Sequence, residues 1–373
     1  MIIRMSGFKT FIYPLAVLSG TIIGVGLFGL PYITAKIGFW PMFGYLLALA
    51  PLVIIIHLFY GELAVKTADF KRLPGFAKIY LGRWGQGVAL VSTVFGLTGS
   101  LLAYLIVGGQ FLKELFFPVF GGNTLTYTLF YFIIGAALIY FGIKAIAKVE
   151  LWGLILFFLI LVSIYLRGHS FLDTSNLFPI PDWSFVFLPY GAIIFSLWGA
   201  SLIPEIEEML GKEKKLIKTV IFTGMLIPVT VYLLFIYLIL GITGEQTSES
   251  ALAGLKAYLG DGVVIMALIL GLITTFTSFL TLGLTLKKVF NYDLNFNHNL
   301  SWVLTCFIPL GLFLVGVKSF ISVMAVVGGV MLAVDGILIL LMYQKVHPRK
   351  RVLVYPLILV LLGGIIYSFV HFS

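Results

Sequence analysis

The chain alternates long apolar stretches with short polar ones from about residue 10 to its end. Stretches of about 18 or more apolar residues read as membrane-crossing helices, and eleven are predicted, centred near residues 24, 52, 102, 133, 157, 197, 230, 275, 308, 332 and 362. Two of them carry their own interruptions. The first, "LSGTIIGVGLFGLPYITAKIG" (residues 18–38), has glycines at 20, 24, 26 and 29 and a proline at 31; the sixth, "YGAIIFSLWGASLIPEIEEML", repeats the spacing of Gly26 to Pro31 at Gly199 to Pro204. A rise of about 1.5 Å per residue from Phe11 puts Gly20 to Gly26 roughly 14 to 22 Å into an apolar layer about 30 Å thick. Ser196 to Ser201 reach a similar depth. Backbone broken there must be buried in protein or line a cavity, and its freed amides and carbonyls then serve as ligands. The alternative is that the glycines only let helices approach, as in Gly20-xxx-Gly24.

Position favours the first reading. Five spans separate the two interrupted ones, so a second copy of a five-helix unit would lie upside down in the membrane. The predicted fold is therefore an all-α polytopic membrane protein of eleven transmembrane helices: inverted repeats over about 10–167 and 184–345 within one domain (1–345), plus an extra helix at 351–371. Helices 1 and 6 are discontinuous. Such an arrangement places a binding site for substrate and ion at the midplane, where the two breaks meet.

Composition agrees, with 61% hydrophobic and 10% charged residues and a mean hydropathy of +1.12. Nothing is left for a separate soluble domain, and the first span, with breakers at its centre and no small-residue cleavage site, reads as a retained helix rather than a signal peptide. The net charge of +9 needs no nucleic acid to explain it. If the N-terminus is cytoplasmic, 19 of the 24 basic residues, Arg4 and Lys144 among them, fall on the cytoplasmic side and 5 outside, which with eleven spans puts the C-terminus outside. Cys306 has no partner cysteine, the five histidines form no metal-ligand cluster, and no Gly-rich loop ends in Lys-Ser or Lys-Thr. No convergent catalytic set is visible, so an enzyme is not expected. A channel, or a transporter of another small organic solute on the same fold, remains the other reading.

Four stretches together, "GTIIGVGLFGLP", "GSLLAYLIVGG", "FSLWGASLIPEI" and "TTFTSFLTLGLTLKKVF", resemble the amino acid-polyamine-organocation superfamily with the LeuT fold. Within it the chain is most similar to the amino acid and auxin permeases and the bacterial aromatic amino acid permeases. The resemblance implies a secondary transporter of neutral, hydrophobic or aromatic amino acids, with an amino acid and the lipid bilayer as its partners and the cell membrane as its location.

It also implies residue roles. The amides of Gly24, Val25 and Gly26 would hold the substrate carboxylate, carbonyls near Thr21, Ile22, Phe195, Ser196 and Leu197 the amino group, and Tyr104 and Trp198 would border the side-chain pocket. Thr274, Thr277 and Ser278 share a helical face and, with carbonyls at Gly20 and Ile23, would coordinate one sodium ion; no other cofactor is implied. The competing reading returns these hydroxyls to their own helix carbonyls, and Thr281 and Thr285 continue the stripe.

The pattern departs from the family where the asparagine of a second sodium site falls on Leu27, and where the buried fifth-helix lysine of some proton-coupled permeases is missing. Coupling to sodium or to protons stays open. Asp335 and His57, ionisable residues inside spans, are candidates for proton coupling, with structural ties to neighbouring helices as the alternative. The sequence places no buried acidic or basic residue beside the two breaks.

Overall fold

The computed structural model describes residues 7–67, 71–142 and 146–372; Arg4 and Lys144 of the charge count lie outside them. Every regular element among the described residues is helical. The first interrupted span is two helices, α1 (Gly7–Ile22) and α2 (Gly26–Ile37), bent by 43° across residues 23–25. Then come α3 (Phe39–Lys66), a short connecting α4 (Leu73–Leu81), α5 (Arg83–Phe120), α6 (Thr124–Phe141) and α7 (Ile146–Gly168). The second interrupted span is α8 (Leu188–Leu197), a single 3-10 turn at Ala200–Leu202, and α9 (Ile203–Leu210). It is followed by α10 (Ile217–Thr243), α11 (Lys256–Lys288), α12 (His298–Leu314), α13 (Phe320–Val326), α14 (Ala333–Val346) and α15 (Arg351–Phe372). A π-helical segment, Val327–Leu332, joins α13 to α14.

Among the described residues eight helices are long and apolar enough to cross a membrane, and the bent α1–α2 pair makes nine. The two remaining expected spans fall on shorter pieces: α12, of 17 residues, and the broken α8–α9 pair of 10 and 8 residues. Both expected discontinuities are therefore present where the glycines and prolines stand.

Burial sorts the helices. From Gly96 to Gly109 every residue of α5 is buried, as a helix apolar on all sides must be when it runs through a protein interior. Along α6, α7 and α15 large apolar side chains such as Ile133, Trp152 and Leu359 point outward, the pattern of helices that face lipid rather than water. Inside, α1 packs on α7, α10 and α11, while α2 packs on α8 and α10. The tenth expected span presses on the sixth because Gly328 has no side chain: a Cβ there would run into Gly191 O and lie 2.7 Å from Phe195 N. The two breaks are thus enclosed by α3, α5, α10, α11 and the π segment.

Candidate functional site

At the first break the α1 ladder ends with Ile23 N donating to Ser19 O at 2.9 Å. The Gly24 amide then turns back to Thr21 O, 3.2 Å, so the Gly20 carbonyl loses the amide four residues on. Val25 precedes α2 and offers no side-chain cap; the Phe28 amide turns back to Val25 O at 3.1 Å, which leaves the Gly26 and Leu27 amides to carry the partial positive charge of a helix N-terminus. The Tyr104 hydroxyl lies against Gly24 and meets the Val25 amide. Tyr104 therefore stands at the very amides expected to take a carboxylate, besides bordering the pocket as expected.

The second break is extended at Trp198 (φ −80°, ψ 109°) and closes through Gly199 into the 3-10 turn. A histidine completes it. The His57 Nδ1 lies 2.7 Å from Val53 O, which can only accept, so Nδ1 carries the proton and Nε2 is free to accept from Gly199 N at 2.9 Å. Both ring nitrogens are in use, and a second proton would break the Gly199 bond. His57 also packs edge-on to Trp198, with ring centroids 5.4 Å apart. This geometry favours the structural reading of His57 over a proton relay.

The two breaks touch. A Cβ on Gly26 would lie 2.6 Å from Ser196 Oγ and 2.7 Å from Ser196 Cα, and one on Gly199 would lie 2.7 Å from the Ile22 side chain. Tyr232 of α10, fully buried, places its hydroxyl 2.6 Å from Ile22 O and 2.6 Å from Ser196 O. One phenolic proton thus serves the carbonyl ends of both outer half-helices, the carbonyls expected to receive an amino group. Nothing in the sequence marked Tyr232 among 18 tyrosines.

A cavity opens at this contact, lined by Thr21, Ile22 and Gly26 from one break and Phe195, Ser196 and Trp198 from the other, with Tyr104 and Ser100 from α5. Asp335 and Thr93 line it as well. The space open to water centres is about 30 Å³. Of the expected substrate residues, Gly24, Val25 and Leu197 are not in the cavity wall.

On α11 the hydroxyl stripe bonds largely to its own helix: Thr274 Oγ1 to Leu270 O at 3.0 Å, Thr277 Oγ1 to Thr274 O at 3.1 Å, Thr281 Oγ1 to Thr277 O at 3.0 Å and Thr285 Oγ1 to Thr281 O at 3.0 Å. Ser278 is different, buried and without a hydrogen bond of good geometry, its hydroxyl facing Tyr104.

Two acidic side chains correct the expectation that none lies beside the breaks. Glu150, near the start of α7, is 3% exposed, its carboxyl resting on Gly20 and surrounded by the hydroxyls of Thr21, Thr277 and Thr281. In sequence it follows Lys148 by two residues and reads as part of a solvated helix end; the only hint is that it opens the apolar run from Leu151 onward. Asp335, 4% exposed, accepts from Ser92 Oγ, with Thr93 Oγ1 at 3.4 Å.

At one end of the bundle Arg72, 2% exposed, reaches Glu205 (3.3 Å) and Glu208 (3.1 Å) at the start and middle of α9, and Lys288 joins Glu205 at 2.7 Å. Burial alone would weaken the guanidinium charge; the two carboxylates outweigh it and raise the Arg72 pKa above its ordinary value. Glu205 and Glu208 are therefore ion-paired rather than simply solvated.

The sequence profile of the tryptophan/tyrosine permease family matches residues 9–371. The chain is 25% identical over 284 residues to the tyrosine-specific transport system 1 of Haemophilus influenzae, covering 72% of this chain and 70% of that one. Among solved structures it is similar to MhsT in complex with L-phenylalanine (16% identity, TM-score 0.64, 96% of this chain and 97% of that one). It is also similar to Mhp1, a nucleobase-cation-symport-1 family transporter, in a closed conformation with bromovinylhydantoin bound (14% identity, TM-score 0.65, 88% and 76%). These structural likenesses carry the LeuT fold expected from the sequence.

Proposed function

The chain belongs to the tryptophan/tyrosine permease family, a multi-pass membrane transporter and not an enzyme, and from that premise we propose that it carries an aromatic amino acid through the contact of its two broken helices. The observation that carries this reading is the meeting of the breaks at Gly26 and Ser196. The substrate carboxylate takes the open amides at the start of α2, beside the Tyr104 hydroxyl. The ammonium takes the carbonyls of Ile22 and Ser196, displacing the Tyr232 proton. The ring enters the cavity between Trp198 and Tyr104. The tyrosine named for the Haemophilus influenzae relative supports an aromatic ring of this kind.

Transport is by alternating access, coupled to a cation. The free space of about 30 Å³ compares with about 150 Å³ for a cavity that takes benzene, so the helices around the site must part to admit the substrate. Inverted repeats at 10–167 and 184–345 supply the two parts that rock against each other. With the N-terminus inside, the Arg72–Glu205–Lys288 cluster closes the cytoplasmic end of the path. Sodium is favoured over protons as the coupled ion, supported by the buried hydroxyls of Thr277 and Ser278 on α11, which packs on α1. The test is a thermal stabilisation screen of the purified protein against the twenty amino acids, since a ligand of the folded state raises its melting temperature. Tyrosine or tryptophan should give the largest rise. A flat response across all twenty rejects the reading, and concentrative uptake into proteoliposomes separates a symporter from a channel.

A further inference from the structure

The cavity at the breaks is longer than the contact it serves. Thr93, Leu97, Ser100 and Tyr104 of α5 all line it, and their spacing of four, three and four residues puts them on one face of that helix. Three turns at a rise of about 1.5 Å per residue set Thr93 about 16 Å along α5 from Tyr104. Tyr104 meets the first break at Gly24 and Val25, whereas Thr93 and Ser92 reach Asp335 of α14. One end of the stripe belongs to the breaks and the other to a carboxyl group. Asp335 is 4% exposed, and both hydroxyls approach the same oxygen, Oδ1. Among the described residues no hydrogen bond reaches its Oδ2 and no cationic side chain pairs with it. A carboxylate offers about four acceptor sites, so Asp335 stands in the cavity wall with acceptor capacity to spare. Trp198 supplies a ruler. It leaves the chain at the second break, and its ring ends at Cη2, 3.3 Å from where a Cβ on Gly336 would lie. Gly336 is the residue next to Asp335. An aromatic side chain that starts at the breaks and lies along Trp198 therefore ends beside Asp335.

We infer that Asp335 reads the far end of the substrate ring: its Oδ2 accepts the proton of a phenol O–H or an indole N–H, so that the site selects tyrosine or tryptophan over phenylalanine. The inference rests on the proposal that an aromatic amino acid binds at the two breaks, and adds to it the residue that decides which ring is taken. Leu97 and Trp198 present apolar surface to the cavity, which any aromatic ring can use, so they do not separate the three amino acids. Asp335 does. Phenylalanine brings no donor and leaves the buried carboxyl oxygen unpaired, and a site built to hydrogen-bond a substrate hydroxyl or N–H rejects the analogue that lacks it. The assignment makes Asp335 a ligand of the substrate rather than a carrier of the coupled proton.

The test is equilibrium binding to the full chain in detergent, at fixed pH and sodium concentration, of tyrosine, tryptophan, phenylalanine, O-methyltyrosine and 1-methyltryptophan. The better of tyrosine and tryptophan should bind the parent about tenfold or more tighter than phenylalanine, the worth of one hydrogen bond to a carboxylate. Its methylated form, which has no ring proton to give, should lose that advantage. Asp335→Leu should abolish the preference over phenylalanine, whereas Asp335→Asn, which keeps an acceptor oxygen without the charge, should retain part of it. A damaged fold weakens all these ligands together and leaves their ratios in place, so the ratio is the readout. Parental ratios in Asp335→Leu overturn the assignment. So does a parent that binds phenylalanine, or the methylated ligand, as tightly as the ring that carries the proton; this comparison decides the matter even if Asp335→Leu does not fold. Binding of none of these ligands removes the substrate reading itself, whereas equal binding of them all removes only the role of Asp335.

Discussion

The break between α1 and α2 and the break between α8 and α9 lie against each other, yet they are finished differently. In the second, the buried amide of Gly199 is taken by His57 Nε2, and Trp198 is packed by the same ring. In the first, no side-chain cap meets the start of α2, the Gly20 carbonyl is released, and Thr21 Oγ1 has no partner. The second break is satisfied from within the protein; the first is met in part, by Tyr104 at the Val25 amide and Tyr232 at Ile22 O, and leaves the Gly20 carbonyl and Thr21 Oγ1 for something that arrives. A buried polar group without a partner is costly, so the unfinished break is where ligand binding yields the most. The second break serves as the fixed wall against which the first is used.

Substitution of the residue at which the two meet should have the largest effect. In Gly26→Leu the side chain would have to pass through Ser196, whose Cα lies only 2.7 Å from the point a Cβ would occupy. The expected outcome is complete loss of amino acid binding in equilibrium binding assays, together with a lower melting temperature, because overpacking of this kind costs about 1–3 kcal/mol. Retained binding at parental affinity would mean that the substrate does not use the contact of the breaks.

The asymmetry explains what the sequence could and could not reveal. Glycines and prolines act on their own backbone, so Gly20 to Pro31 and Gly199 to Pro204 announce both breaks in the order in which they are read. The hydroxyl stripe on α11 is equally local, and the sequence leaves its two uses side by side: Thr274, Thr281 and Thr285 bond back to the helix, while Ser278 does not. His57, Tyr232 and Glu150 act across 142, 210 and, from Glu150 to Gly20, 130 positions. No periodicity in one helix carries such a relation. Glu150 was further concealed by Lys148, which makes the start of α7 look like a solvated end. The same limit applies to Arg72, whose partners Glu205 and Glu208 belong to a span read separately.

A smaller effect is expected at the finished break. His57→Leu leaves the Gly199 amide buried without an acceptor, a loss of about 1–3 kcal/mol, read as a lower melting temperature in the absence of ligand. His57→Gln keeps a carbonyl oxygen at similar reach and should recover part of it. Since both ring nitrogens are committed, the pH dependence of uptake should be the same in the parent and in His57→Gln. A pH profile that moves with His57→Gln would return this histidine to the coupling path and make the second break as active as the first.

The smallest and most discriminating change is Tyr232→Phe, because it acts on both breaks at once. The phenolic proton now lies between Ile22 O and Ser196 O, each at 2.6 Å, and a net hydrogen bond of this kind is worth about 0.5–1.5 kcal/mol. Its removal should lower the melting temperature of the ligand-free protein by the least of the three substitutions. The bound state should suffer less than the free one, since an ammonium group placed between the same carbonyls supplies the donors that the phenol gave. Tyr232→Phe should therefore show a larger ligand-induced rise in melting temperature than the parent, with affinity equal or tighter. A tenfold loss of affinity instead would show that the tyrosine holds the substrate alongside the carbonyls rather than holding their place until it binds.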